Sequence, residues 1–349
     1  MNNTPPFRRW FGRIAATATV LTLVVIIVGS WVRLTDAGLG CPDWPGCYGQ
    51  ITAPDAPGEV ALAESAFPHA PVDSGKAWRE MFHRYLAGIL GLLILAMAVL
   101  AWLNRRDVAQ QRALPLVILG LVIFQGALGM WTVTLLLRPA IVTLHLIMGM
   151  TTLALLAWTT LRHYTPGASF TRRPAEMNLR TWAAVGLLVL GMQIALGGWT
   201  STNYAALACP DFPTCQGQWI PDLEFDGAFS LMGHPGVNYE GGRLDHEHAV
   251  TVHFVHRLGA LLTLFYLGAL GILAVTRGGS AGRPAGIVLL VLLATQITLG
   301  IGNVVLGLPL SVAVAHNAGA ALLLLTLVTL NHQVTQDSVS IYSPGGSTV

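Results

Sequence analysis

Eight long apolar segments constrain the fold of this chain more than any other feature of its sequence. Each contains about 20 residues, the length that an α-helix needs to cross the hydrocarbon core of a membrane. The composition agrees, because 53% of the 349 residues are hydrophobic and only 10% are charged, which is too little charge to cover a soluble domain of this size. The sequence therefore predicts an all-α polytopic membrane protein, with spans at residues 14–32, 81–103, 114–136, 139–161, 181–200, 252–275, 284–306 and 310–330.

The chain also contains an internal duplication. The segment that begins at Gly29 and includes CPDWPGC recurs from Gly197 with CPDFPTC, and each copy is followed by two histidine-containing segments. The paired positions are Cys41 and Cys209, His83 and His256, and His145 and His316, separated by 168, 173 and 171 residues. Because each copy has an even number of spans, both enter the membrane the same way round. We therefore predict two parallel four-helix repeats, residues 1–165 and 166–349, about a pseudo-twofold axis along the membrane normal.

Basic residues in the loops predict the orientation. Arginines collect on one side of the predicted membrane, whereas the two long loops, 33–80 and 202–249, carry few basic residues and most of the acidic ones. Loops rich in Lys and Arg stay in the cytoplasm, so both termini are expected there and both long loops on the outer face. The net charge of +2 gives no indication of a nucleic-acid partner.

Four histidines lie within predicted spans, at the same two positions of each repeat: His83 and His145, then His256 and His316. A hydrogen bond across a helix interface would explain one such histidine. Ionisable residues inside membranes are costly and usually functional, so four in duplicated register favour a ligand. Two imidazoles from neighbouring helices suit a heme iron with bis-histidine ligation. A structural zinc needs four nitrogen or sulfur ligands, which neither repeat supplies inside the membrane.

The residues beside these histidines differ between the repeats. Arg84 and Arg257 each follow a histidine and are candidate contacts for heme propionates, although arginines that snorkel from a helix end look the same. Glu80 lies one helical turn before His83, where the second repeat has His253. We therefore predict proton-coupled chemistry in the first repeat, with Glu80 as acid or base, and electron transfer in the second. The alternative for Glu80 is a solvated interfacial residue.

Each outer loop contains one Cys-x5-Cys pair. On an oxidising outer face the expected state is a disulfide, which gives Cys41–Cys47 and Cys209–Cys215. Crossed pairing between the two loops is an alternative. A copper site is another, with candidate ligands His246, His248 and His253.

Five segments, VRLTDAGLGCPDWPGC, EMFHR, TLHLIMG, VHFVHRLGA and AVAHNAG, resemble the heme A synthase family of cytochrome-oxidase assembly factors, and the resemblance covers nearly the whole chain. It implies an oxidoreductase of the bacterial inner membrane that oxidises the C8 methyl group of heme O to a formyl group, through successive hydroxylations, to give heme A. It implies that His256 and His316 ligate a permanent heme b. It also implies that His83 and His145 hold the heme O substrate and that Glu80 takes part in the chemistry.

The resemblance further implies partners: the farnesyltransferase that makes heme O (heme O synthase), the cytochrome-oxidase assembly machinery, the lipid bilayer, and an electron acceptor that the sequence does not identify. Two other functions would use the same helices and histidines. A diheme b-type cytochrome would relay electrons from a quinol and has no need of Glu80 in one repeat alone. A heme carrier would bind heme weakly and exchangeably at both sites.

Overall fold

The computed structural model describes residues 6–107, 110–165, 174–234 and 236–339. Within these ranges the chain forms nine α-helices, and its β-structure is limited to two isolated bridges. The helices are α1 (Pro6–Leu34), α2 (Pro57–Ala66), α3 (Ser74–Leu103), α4 (Ala113–Thr134), α5 (Pro139–Tyr164), α6 (Pro174–Thr202), α7 (His246–Arg277), α8 (Gly279–Val305) and α9 (Leu310–Val339). All except α2 are long and apolar enough to cross a membrane, which confirms the prediction of an all-α polytopic membrane protein.

Five spanning helices, α1, α3, α6, α7 and α8, begin at least five residues earlier than hydropathy predicts, and two of these, α3 and α7, do so on the side of the long loops. α3 begins at Ser74 and α7 at His246, several residues before the predicted spans at 81 and 252. Their first turns contain charged and polar residues, which lower hydropathy without preventing a helix. The side chain of Asp73 caps α3 by accepting a hydrogen bond from the Lys76 N–H (2.9 Å), as expected for an N-cap. His83 consequently lies in about the third turn of α3, not at its end.

The short helix α2 in the first long loop was not predicted. Pro57 occupies its first turn, and the Glu59 side chain accepts hydrogen bonds from the N–H groups of Asp55 (3.1 Å) and Ala56 (3.2 Å). These are local signals for a helix start. Hydropathy cannot detect this helix, because Ala63 is its one buried residue.

The spanning helices form two four-helix bundles, α1 with α3, α4 and α5, and α6 with α7, α8 and α9. Between the bundles, α5 packs on α9, α1 on α9, and α5 on α6. Exchanging the two halves converts this set of pairs into itself, as the predicted pseudo-twofold arrangement requires. The direction of the axis relative to a membrane and the boundary at 165/166 stay predictions, and residues 166–173 of the linker lie outside the described ranges.

Equivalent positions of the two halves meet at the ends of α1 and α6. The Tyr204 hydroxyl donates a hydrogen bond to the Asp36 carboxylate (2.8 Å), and the Arg33 guanidinium donates to the backbone oxygen of Ser201 (2.6 Å). In both pairs the partners are 168 residues apart, the spacing of the cysteines. These contacts hold the two halves together on the side of the molecule that carries the long loops.

Candidate functional site

A cavity in each bundle is lined by the two histidines that the sequence predicts to act together. The first cavity has a volume of about 640 Å³ and is lined by His83 and His145, and the second has about 690 Å³ and is lined by His256 and His316. Both volumes are typical of sites for small molecules and cofactors. The two cavities share part of their walls, because six residues line both: Arg33, Leu34, Leu146, Gly198, Ser201 and Asn317.

Each histidine ring lies against a glycine of a neighbouring helix. A β-carbon at Gly29 would lie 2.8 Å from Cε1 of His83, and one at Gly197 would lie 3.1 Å from Cε1 of His256. The other pairs, with distances of 3.5 and 3.1 Å, are Gly129 with His145 and Gly300 with His316. A larger residue at Gly29 or Gly197 would displace the ring, so the glycines help to set the ring positions. Sequence analysis missed Gly29 and Gly197 as contacts, although they begin the two copies of the repeat.

Two glutamines fix the backbone of the second histidine in each pair. The side-chain amide of Gln125 donates to the backbone oxygen of His145 (2.9 Å), and that of Gln296 donates to the backbone oxygen of His316 (2.9 Å). The glutamines are 171 residues apart, as the histidines are. Sequence analysis missed both, but a polar residue repeated inside an apolar span is a signal that could have found them.

The protein itself provides few hydrogen-bond partners for the rings of the four histidines. The Nδ1 atoms of His83, His145 and His316 are buried without a hydrogen-bond partner, whereas buried polar atoms are normally paired. Paired imidazoles that lie on glycines in largely apolar cavities fit a heme with two axial histidines. The residues present are therefore suited to one heme in each cavity.

Glu80 lies in the wall of the first cavity and is buried, with 5% of its surface exposed. One carboxylate oxygen accepts a hydrogen bond from the Cys41 N–H (2.9 Å), and the other pairs with the guanidinium of Arg84. Glu80 is therefore not a solvated interfacial residue, which was the alternative. Its carboxylate connects the disulfide loop to the helix that carries His83.

The second half repeats this arrangement without a carboxylate. His253 is buried, and its Nδ1 accepts a hydrogen bond from the Cys209 N–H (3.1 Å). The Nε atom of Arg257 lies 3.4 Å from His253 Nε2. Each half thus binds its disulfide loop through the residue at this position, which is a carboxylic acid (Glu80) in the first half and an imidazole (His253) in the second.

Arg84 and Arg257 both bind the backbone of a disulfide loop. Arg84 donates to the carbonyl oxygens of Asp43 (3.0 Å), Pro45 (3.2 Å) and Gly46. Arg257 donates to those of Cys209 (2.8 Å), Asp211 (2.9 Å) and Thr214 (2.8 Å). Both side chains also line the cavities, so propionate contacts stay a prediction and would have to use the remaining N–H groups.

Both predicted disulfides are present, Cys41–Cys47 with a Cα–Cα distance of 4.8 Å and Cys209–Cys215 with 4.6 Å. Crossed pairing between the loops is therefore wrong. The copper alternative is not supported either, since no group of three or more His, Cys, Asp or Glu side chains in the described part of the chain could hold a metal ion. Of its candidate ligands, His246 contacts the Gln216 amide (2.6 Å) and His253 serves the loop contact described above.

Asp211 organises the second disulfide loop. Its carboxylate accepts hydrogen bonds from the hydroxyl of Thr214 and from the N–H groups of Gln216 (2.6 Å) and Gly217 (3.0 Å). The Thr214 hydroxyl, helped by these N–H groups, lowers the pKa of Asp211 from 3.8 to about 2. In the first disulfide loop the Asp43 carboxylate accepts hydrogen bonds from two N–H groups. The position of Thr214 is occupied there by Gly46, which has no hydroxyl to donate.

Known proteins resemble the chain along nearly its whole length. Residues 12–328 match the family described as cytochrome oxidase assembly protein. The heme A synthase of Shewanella oneidensis is 46% identical over 333 residues, which are 95% of this chain and 98% of the relative. The heme A synthase of Rhizorhabdus wittichii is 30% identical over 341 residues, 92% of this chain and 93% of the relative. The chain therefore belongs to the cytochrome oxidase assembly family, together with these heme A synthases.

Proposed function

We propose that this protein converts heme O into heme A by oxidising the C8 methyl group of heme O to a formyl group. The observation that carries the proposal is the pair of histidine-lined cavities, of which the first alone has a buried carboxylate in its wall. The relatives named heme A synthase support the same reaction. A methyl carbon becomes a formyl carbon through two successive hydroxylations and the loss of water, and with water as the oxygen source each hydroxylation releases two electrons and two protons.

In this proposal the two cavities have different tasks. His83 and His145 hold the substrate heme O, and His256 and His316 hold a permanent heme b. A heme b in the second cavity would supply one-electron chemistry. The walls that the cavities share support electron transfer between them, because six residues line both cavities and the cavities are therefore neighbours.

Glu80 holds or moves a proton in the first cavity. Its two oxygens accept hydrogen bonds from Cys41 and Arg84, but each carboxylate oxygen has a second lone pair and can still accept a proton. Its place in the cavity wall, one turn from His83, puts it beside a bound substrate. General acid–base groups typically contribute about 10²–10⁴-fold to a rate.

The orientation that we propose places both termini in the cytoplasm and both disulfide loops on the outer face of the bacterial inner membrane. The disulfides support it, because they persist in oxidising compartments. Heme O synthase would supply the substrate, and an electron acceptor would reoxidise the protein. Reporter fusions test the orientation: fusions after Gly58 and Phe225 should report the outer side and a fusion after Arg172 the cytoplasm, and a reversal at any of the three contradicts it.

A diheme b-type cytochrome is the second candidate, and two observations count against it. The named relatives are heme A synthases, and a relay alone gives no reason for a buried Glu80 where the other half has His253. A heme carrier would not need two cavities with shared walls and different chemistry.

The heme content of the purified protein tests the proposal. We expect a low-spin bis-histidine spectrum and an extract that contains heme B together with heme O or heme A. His256→Ala or His316→Ala should abolish the heme b spectrum, whereas the control His69→Ala, at an exposed loop residue, should retain it. Heme B alone in the extract would favour the cytochrome, and an unchanged spectrum in both cavity variants would contradict the heme b site.

A further inference from the structure

We infer that Gln193 is a positioning residue for His256, and that it gives the second cavity a fixed axial histidine that the first cavity lacks. The inference rests on the proposed ligation of heme b by His256. The amide nitrogen of Gln193 lies 3.1 Å from Nδ1 of the His256 ring and 3.1 Å from the backbone oxygen of the same residue. The Gln193 amide therefore contacts both the His256 ring and the backbone of α7.

The other three cavity histidines have no such contact. The Nδ1 atoms of His83, His145 and His316 are buried and unpaired. Gln125 and Gln296 donate to the backbone oxygens of His145 and His316, and neither makes a hydrogen bond to a ring. Of the four cavity histidines, His256 is thus the one whose Nδ1 atom has a side-chain partner.

The duplication shows what the first half has instead. Gln193 lies four residues before Gly197, the glycine under the His256 ring. Four residues before Gly29, the glycine under the His83 ring, is Val25, which lines the first cavity. A valine cannot hydrogen-bond a ring nitrogen, so the two halves differ in the support of the axial histidine as well as in Glu80 and His253.

A histidine that binds a metal through one ring nitrogen carries its proton on the other, and that N–H usually donates to a protein acceptor, which fixes the ring and raises the basicity of the ligand. For His256 bound through Nε2, the acceptor at Nδ1 is the Gln193 amide oxygen. That oxygen is buried and without a hydrogen-bond partner, and a half turn of the amide exchanges oxygen and nitrogen. The turn gives up the hydrogen bond from the Gln193 amide to the backbone oxygen of His256 and replaces it with one from the ring N–H to the amide oxygen, so in the heme-bound state Gln193 holds the ring.

A more basic histidine stabilises ferric over ferrous iron, so Gln193 should lower the midpoint potential of the second heme and slow its loss. A ring without this support, as at His83, holds its heme less firmly. This suits a first cavity that must take up substrate and release product, and a second cavity that must keep its cofactor.

The test compares Gln193→Met, which keeps the length of the side chain but removes the amide, with the control Gln333→Met, which makes the same change at a glutamine that lines neither cavity. Both variants are purified with their heme. The midpoint potential, the electron paramagnetic resonance spectrum and the rate of heme transfer to apomyoglobin are measured. For Gln193→Met we expect a tenfold loss of the preference for ferric over ferrous iron, which raises the midpoint potential by about 59 mV for one electron. We also expect heme transfer to apomyoglobin to be about 10- to 100-fold faster. The control should change the potential and the rate less than twofold.

Equal behaviour of the two variants would overturn the inference. If Gln193→Met retains no heme, the reverse change decides: Val25→Gln offers the His83 ring an acceptor and should slow heme loss from the first cavity about tenfold, and an unchanged rate would overturn the inference. A wild-type protein without a bis-histidine heme spectrum would instead contradict the proposed function, so the two failures are distinguishable.

Discussion

The carboxylate of Glu80 accepts a hydrogen bond from the backbone N–H of Cys41 at 2.9 Å, so the residue that distinguishes the first cavity is joined directly to a disulfide. The equivalent contact in the second half joins His253 to Cys209. The structural task of this position is therefore common to both halves, and the carboxylate is what the first half adds. This relationship allows the two roles of Glu80 to be separated.

Glu80→His places in the first half the residue that the second half has. The imidazole should keep the contact with Cys41, so the fold and the heme b spectrum should persist. Conversion of heme O to heme A should fall about 10²–10⁴-fold, because the carboxylate that transfers the proton is gone. Extraction of the hemes from purified variant protein measures both effects.

Glu80→Gln is the matched control, because it keeps the size of the side chain and an oxygen acceptor but removes the charge. It should lose conversion as Glu80→His does, with heme O or a hydroxylated intermediate accumulating. Normal heme A production by either variant would remove Glu80 from the mechanism. Loss of heme b in both would mean that the tasks of the two halves are assigned the wrong way round.

Removal of the first disulfide should weaken both the loop and the chemistry. Replacing Cys41 and Cys47 by Ser should lower the stability by about 2 to 3 kcal/mol and should also reduce heme A production, because Cys41 positions Glu80. The same replacement of Cys209 and Cys215 should cost similar stability with a smaller loss of conversion. Thermal unfolding and heme extraction compare the pairs, and equal losses of conversion would contradict a special role for the first loop.

The glycines under the histidine rings give a test of the cavity geometry. Gly197→Ala puts a methyl group 3.1 Å from the His256 ring, so it should reduce heme b occupancy and alter the low-spin spectrum. Gly191→Ala lies on the same helix with nothing within 4 Å of its new methyl group, so it should leave the spectrum unchanged. If Gly197→Ala has a normal spectrum and occupancy, the ring does not need this glycine.

Much of the fold and of the site can be predicted from the sequence, because membrane spans and duplicated motifs are recognised from short, local patterns of residues. The spans, the repeat and both disulfides follow from apolar length and spacing, and the pairing of His83 with His145 in one cavity follows from the repeat. The early start of α3 was missed because helical turns outside the lipid do not need apolar residues. Gln193 was missed because it has no partner in the repeat, and its meaning depends on a contact between α6 and α7.

The second disulfide loop should resist acid because of Thr214. The folded-state pKa of Asp211, about 2, lies below its ordinary value of 3.8. The ionised Asp211 carboxylate therefore stabilises the loop fully above about pH 4, and this stabilisation is lost as the pH falls through about 2. Thr214→Gly, which copies Gly46, should raise this pKa. The Gln216 and Gly217 amides should then lose protection from hydrogen exchange at a higher pH than in the wild type, and identical protection profiles would contradict this role of Thr214.

Expression of the chain in a bacterial host that makes heme O but no heme A tests the central claim most directly. The measurement is the heme composition of the membranes with and without the chain. We expect heme A to appear and heme O to decline when the wild-type chain is present, and heme O to persist with Glu80→Gln. Membranes that contain heme O and heme B but no heme A, with the wild-type chain folded and carrying its heme b spectrum, would contradict the proposed reaction.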